Sequence, residues 1–255
     1  MYIDSHCHLD RLQLEQDQSL EDILDQARRQ NVSGFLCIGI GFENAEQLLE
    51  IESRHQDVWV SMGVHPLYQD QAHNESQLRH WCGKPQVVAI GETGLDYHYQ
   101  ADNKALQKQS FESHLQVAAE FKKPVIVHTR EAQKDTLELI RANQSDSAGV
   151  LHCFTESWDM AKAAMDMGYY ISISGIVTFR NAETLREIVR KLPLDRLLIE
   201  TDSPYLAPVP HRGKPNSPVF LPKVAECIAG LKQISTTKLA ELTCENFFRL
   251  FPRCR

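Results

Sequence analysis

The feature that most constrains this chain is the regular alternation of short apolar runs with amphipathic stretches along its 255 residues. Eight runs have strand character, at residues 2–6, 34–40, 58–64, 87–92, 125–128, 149–152, 170–174 and 197–202. Helical patterns lie between them: SLEDILDQARRQ from Ser19, NAEQLLEIESRH from Asn44, a long one from Lys104 and AETLREIVRKL from Ala182. Ser19 followed by Asp22 reads as an N-terminal cap with a first-turn acid. Eight strand–helix units over about 250 residues is the arithmetic of a (β/α)8 TIM barrel, one α/β domain spanning residues 1–255. An open doubly wound sheet is the alternative, but it would place a Gly-rich phosphate loop after its first strand. Here that strand runs into HCH. Six prolines from Pro204 to Pro222 exclude regular helix there and predict a long loop over one barrel mouth.

Composition removes several function classes. No stretch of about 18 apolar residues occurs, so a membrane-spanning helix is not expected. The N-terminus MYIDSHCHLD lacks the basic-then-apolar pattern of a secretory signal. Seven scattered cysteines, odd in number and without a CxxC pair, fit reduced thiols and a cytoplasmic location. With 27 Lys and Arg against 34 Asp and Glu, the net charge of −7 argues against a broad nucleic-acid groove binder. Histidine, at eleven, is the unusual count.

The histidines gather with carboxylates at strand ends. Residues two apart on a strand share a face, so His6 and His8 point together and Cys7 points into packing. Glu92 is expected to end the fourth strand, His128 the fifth, His152 the sixth and Asp202 the eighth. All fall at the C-terminal face, where barrel enzymes build active sites. A lone histidine after an apolar strand is an ordinary hydrogen-bonded core residue. Four imidazoles and two carboxylates converging on one apolar cup are costly to desolvate unless cations compensate. Two divalent metal ions do so, each with three or four protein ligands and room for water. Mixed imidazole and carboxylate suits Zn or Mn, whereas Mg prefers oxygen donors.

Other residues surround this set. His65, in GVHP, either closes the third strand ahead of Pro66 or contacts a substrate phosphate from the rim. Glu200 shares a face with Asp202 one layer deeper, the place of a residue that supports a ligand. Arg130, Arg180, Arg212 and Lys214 follow strand ends and give the mouth a local positive excess that suits an anionic substrate.

The ordered blocks SHCHLD, GVHP, GETGLD, PVIVHTR, LHCF, SGIVTFR and ETDSPYL with HRGKPNSP cover nearly the whole chain. Together they resemble the TatD family of metal-dependent deoxyribonucleases, within the amidohydrolase-like barrels. The resemblance implies that His6, His8 and Asp202 hold one metal, that His128 and His152 hold a second, and that Glu92 bridges them. It also implies a magnesium-dependent exonuclease acting from the 3′ end of DNA, with zinc or manganese as other occupants. Many amidase and phosphotriesterase relatives use a bridging lysine where this chain has Glu92, and the nearest lysine, Lys84, precedes the strand.

The expected chemistry is therefore phosphodiester hydrolysis by metal-activated water at single-stranded DNA ends or on another phosphodiester. Asp202 would act as general base, and His65, Arg130 and Arg212 would orient the phosphate. Tyr97, Tyr99, Phe179 and Tyr205 are candidates for base stacking. The alternative is hydrolysis of a small-molecule or aminoacyl amide or ester at the same centre. A metal-binding protein without catalysis would more often lack a base such as Asp202.

Overall fold

Strands buried on both faces need continuous apolar runs, and helices that shield them need one apolar stripe each. The structure, a computed structural model describing residues 1–68 and 74–255, meets both demands. Its first half runs β1 (Tyr2–Cys7), α1 (Leu20–Arg29), β2 (Val32–Ile38), α2 (Ala45–Arg54), β3 (Val58–Met62), α3 (Glu75–Cys82), β4 (Val87–Asp96) and α4 (Lys104–Phe121). The second half runs β5 (Val125–Arg130), α5 (Gln133–Ala142), β6 (Gly149–Leu151), α6 (Trp158–Asp166), β7 (Tyr170–Ile173), α7 (Glu183–Lys191) and β8 (Leu197–Ile199). Two helices follow, α8 (Leu221–Lys232) and α9 (Thr236–Leu250).

The eight strands pair in parallel and in chain order, the arrangement of a TIM barrel. The seam between β8 and β1 is closed just beyond the strand ends, where Asp202 N donates to His6 O at 2.9 Å and His8 N to Ser203 O at 2.8 Å. Below it, the buried Asp4 carboxylate accepts Thr201 N at 2.9 Å and Thr201 Oγ1 at 2.5 Å. Burial outweighs these bonds and pushes the Asp4 carboxyl up to about 7. Ser19 and Asp22 form a reciprocal capping box at the start of α1, as their spacing predicts. Among the described residues no helix is long and apolar enough to cross a membrane, and all seven cysteines are free thiols.

Several strand ends differ from the sequence expectation: β5 runs past His128 to Arg130, and β8 stops at Ile199, short of Asp202. The Pro-rich segment gives way to helix before its last proline, because α8 starts at Leu221 and contains Pro222 in its first turn. A missing N–H costs nothing there. Glu92 does not end the fourth strand. β4 continues to Asp96, after a register shift against β5 between Ile90 and Thr93. Gly91 lies within that shift and Gly94 just after it, at φ of +133° and +139°, and a Cβ would strike the carbonyl oxygen of Ile126 and of His128, respectively. The strand survives because its backbone can approach β5 that closely.

Candidate active site

The bulge in β4 has a chemical consequence. Irregularities of this kind re-aim a side chain, and the Glu92 carboxylate lies at the centre of the barrel's C-terminal mouth. Its Oε1 is 2.8 Å from His152 Nε2, 3.2 Å from His128 Nδ1 and 3.3 Å from His65 Nε2. Its Oε2 is 3.4 Å from His6 Nε2. Asp202, just past β8, completes the cup, with Oδ1 3.5 Å from His8 Nε2 and 3.6 Å from His6 Nε2. Cys7 turns away between the two histidines and donates to Leu36 O at 3.4 Å.

The outer nitrogens of these rings decide what the inner ones offer. His8 Nδ1 meets Ile38 O at 3.1 Å, and a carbonyl can only accept, so that nitrogen carries the proton. His128 Nε2 likewise faces the Asp96 carboxylate at 3.0 Å, and His152 Nδ1 lies 3.4 Å from Glu200 Oε1. In the neutral rings the inner nitrogens of His8 and His128 therefore point lone pairs at Asp202 and Glu92, whereas His152 Nε2 is itself within hydrogen-bond distance of Glu92 Oε1 at 2.8 Å and its Nδ1 has no hydrogen-bond partner. A lone pair facing a carboxylate calls for a cation between them.

The electrostatics carry the same demand. Burial disfavours the charged form of His8, His128 and His152, yet the neighbouring carboxylates outweigh it and hold all three above the ordinary histidine value. Burial would raise Glu92, but the imidazoles around it hold it well below the usual carboxylate range. Asp202 is also held low, by His8, His6 and His152 against burial. His6 is fully buried, and neither ring nitrogen has a hydrogen-bond partner. Burial and the charge of His152, whose ring stacks on it at 3.8 Å, push His6 below its ordinary value.

A buried imidazole without partners, lone pairs confronting carboxylates and a mixed nitrogen and oxygen donor set all fit divalent metal ions. Among the described residues, three groups bring donor atoms within 4.8 Å of one another: His6, His152 and Asp202; His6, His8 and Glu92; and His65, Glu92 and His128. Above them opens a cavity of about 420 Å³, lined by Tyr99, Thr129, Arg130, Tyr205 and Leu206.

A family model described as TatD related DNase matches residues 3–252. The chain belongs to the TatD family. It is 48% identical over 251 residues to the uncharacterized metal-dependent hydrolase YcfH of Escherichia coli K12, covering 98% of this chain and 95% of that protein. The 3′–5′ ssDNA/RNA exonuclease TatD of Erwinia tasmaniensis is 35% identical, over 91% of this chain and 93% of the relative. The crystal structure of YjjV, a TatD homologue from Escherichia coli K12, superposes with a TM-score of 0.91 at 27% identity, covering 98% of each chain. The protein is thus a TatD-type metal-dependent hydrolase on a TIM barrel.

In this TatD cup the structure brings together His6, His8, Glu92, His128, His152 and Asp202, with Glu200 buried behind His152. Glu200 Oε1 also accepts Cys153 N at 2.8 Å, which ties the β6 end to the β8 end. His65 stands among the donors rather than out on the rim. Arg130 lines the cavity with its guanidinium 5.3 Å from the Tyr99 ring. Arg212 does not line it; its guanidinium lies 3.7 Å over Phe179. Lys214 borders a separate surface groove with Leu12 and Phe220. Of the aromatic candidates, Tyr97 is engaged by Asp135 and Lys104 and Phe179 by Arg212, while Tyr99 and Tyr205 line the cavity at 65% and 49% exposure.

Sequence reasoning missed Asp96, which orients His128 and accepts the backbone N–H groups of His98 and Tyr99 at 2.9 and 2.8 Å. A signal was present: Asp96 follows Glu92 by four positions in GETGLD, an even offset that puts both on one face of an extended chain.

Proposed function

We propose that this TatD-type centre hydrolyses phosphodiester bonds at the ends of single-stranded nucleic acid, releasing nucleotides from the 3′ end. The observation that carries the proposal is the mouth of the cavity. Arg130 offers a guanidinium to a phosphate, and the exposed rings of Tyr99 and Tyr205 offer stacking faces to bases, all above the Glu92 cup. The name of the Erwinia relative, an ssDNA/RNA exonuclease, supports the same substrate class.

His6, His8 and Asp202 would hold one divalent ion and His128 and His152 a second, with Glu92 reaching both; Mg, Mn and Zn all suit the set. Such ions lower the pKa of water, polarise a phosphoryl oxygen and neutralise developing charge. The chain's own residues do the rest. Asp202, held ionised, takes the proton of the attacking water as general base. Asp96 and Glu200 keep His128 and His152 turned with their inner nitrogens toward the centre. Arg130 orients the phosphate from the rim. Net charge of −7 confines nucleic-acid contact to this mouth and suits an enzyme that engages strand ends.

The test follows products from 3′- and 5′-labelled single-stranded DNA with magnesium, manganese and zinc in turn. The expected result is stepwise loss of the 3′ label as mononucleotide. Apolar residues Ile40, Leu67, Ile176 and Leu206 also line the cavity and favour a second reading, hydrolysis of a small ester or amide. Turnover of such a compound, with no cleavage of DNA or RNA under any metal, would replace the nuclease assignment with that one.

A further inference from the structure

Arg130 is a cation kept without an anion. Its guanidinium lies 5.3 Å over the Tyr99 ring, and among the described residues its side chain has neither a hydrogen bond nor an ion pair. Three carboxylates belong to the same stretch of rim, and each is held by another partner. Asp96, opposite Arg130 in the β4–β5 register, is taken by His128 and by the N–H groups of His98 and Tyr99. Glu156 accepts Glu131 N at 3.0 Å and Gln133 Nε2 at 2.7 Å. Glu131, the next residue after Arg130, has its Oε1 2.8 Å from His98 Nδ1. An ionised carboxylate can only accept, so that nitrogen carries a proton.

The last of these contacts is the one that the backbone does not secure. Asp96 is fixed by two backbone amides, and Glu156 by one amide and by Gln133, which Ser157 at the start of α6 holds in turn at 2.6 Å. The Glu131 side chain is 64% exposed, and among the described residues its carboxylate has His98 as its partner. An acid and an arginine adjacent in the chain do pair elsewhere in this fold. Arg11 Nε lies 3.5 Å from Asp10 Oδ2, and Arg196 meets Asp195 Oδ2 at 3.6 Å. Glutamate is one methylene longer. Released from His98, Glu131 would find Arg130 beside it and neutralise the charge that a phosphate needs.

We propose that His98 is a positioning residue of this site: by holding Glu131 across the β4 and β5 loops it keeps the Arg130 guanidinium free for a phosphoryl group of the substrate. His98 also meets the Tyr99 ring edge-on, with centroids 4.7 Å apart, so one side chain steadies both the cation and the stacking face. The inference rests on the phosphodiester reading for the identity of the anion.

Full-length variants loaded with zinc and titrated with inorganic phosphate by calorimetry test this without turnover. Arg130→Ala sets the scale and should bind phosphate about 10-fold or more weakly, the effect of losing a hydrogen bond to a charged group. His98→Ala should bind it about 3- to 5-fold more weakly, the strength of an exposed ion pair formed in competition. His98→Phe, which keeps a ring against Tyr99 but has no N–H, should match it and serves if the alanine variant does not fold. His98→Asn, whose amide N–H takes the place of the imidazole N–H, should stay at wild-type affinity. Glu131→Gln should also bind as wild type, and combining it with His98→Ala should restore the lost affinity, because the competing charge is gone. In an Arg130→Ala background His98→Ala should have no further effect. On 3′-labelled DNA the His98→Ala loss should fall on KM, with kcat kept. A double variant as weak as His98→Ala would mean that His98 acts through Tyr99 or the fold, and would overturn the proposal. Unchanged phosphate affinity in both His98→Ala and His98→Phe would do the same. A protein that shows the expected pattern yet cleaves no nucleic acid would lose the nuclease assignment and keep the role of His98.

Discussion

His6 and His114 are both wholly buried, and they teach opposite lessons. His114, on the inner face of α4, has each ring nitrogen engaged: Nε2 accepts Val64 N at 3.0 Å and Nδ1 donates to Ser110 O at 2.7 Å. Burial pushes it down to about 4, so it stays neutral and its polarity is spent on holding the β3 end. His6 has neither nitrogen hydrogen-bonded and faces two carboxylates. A buried polar group without partners costs stability, and a fold tolerates that where function supplies the missing partner. The flank is built to be satisfied by the protein alone. The cup is built to be completed by something bound.

If that contrast holds, activity and stability respond to different residues. The largest effect should come from the cup. Asp202→Asn should lower turnover by at least about 10²-fold, the usual scale for losing a general base. The fold should survive, because Asp202 has φ of +57° and asparagine tolerates the left-handed region. The melting temperature of the metal-free variant should fall, since the Asp202 charge that the surrounding imidazoles stabilise is removed. Turnover close to wild type at full metal loading would remove Asp202 from the role of base.

On the flank the order reverses. The folded pKa of His114, about 4, lies below its ordinary value of 6.5, so the fold favours the neutral ring. That stabilisation is complete above pH 6.5 and is lost as pH falls through 4. It amounts to roughly 3 kcal/mol. His114→Gln keeps an acceptor for Val64 N and cannot titrate. Urea unfolding of metal-free wild type and variant between pH 7 and 4 should show the wild type losing about 3 kcal/mol more than the variant. Turnover at pH 7 should stay within a few-fold. Parallel pH curves would mean that His114 is not the group that the fold holds neutral.

These two histidines also mark the limit of what was legible in the sequence. The strand–helix period and the six residues carrying ligand chemistry could be read because each depends on local spacing: strands alternate faces, and barrel strand ends converge. What makes His114 structural is a partner fifty residues away, and no local pattern announces it. The bulge that turns Glu92 inward depends on the closeness of β5, which only the assembled sheet supplies. Arg212 illustrates the converse. Its position after a strand end suggested the rim, but the path of the Pro-rich loop lays it on Phe179. The tautomer of His8 rests on a backbone atom, Ile38 O, that carries no side-chain signature at all.

The smallest expected effect lies between the two regions, at Asp96. This carboxylate touches His128 at 3.0 Å and is itself tied down by the N–H groups of His98 and Tyr99. It is satisfied like the flank, yet it serves the cup. Burial raises its pKa, but His128 and those N–H groups outweigh that and hold the carboxyl below its ordinary value. Asp96→Ala frees the His128 ring to rotate and weakens its donation, so metal affinity should fall by about 10- to 100-fold, the range for losing the partner of a ligating histidine. Turnover at saturating metal should recover most of the wild-type rate, because no group that meets substrate is removed. Titration with zinc in competition with a chromophoric chelator measures the first, and rate against metal concentration the second. A rate that stays low at saturating metal would move Asp96 into the reacting machinery. Unchanged metal affinity would mean that the cup holds His128 without help, and the division between a self-satisfied flank and a dependent cup would have to be drawn elsewhere.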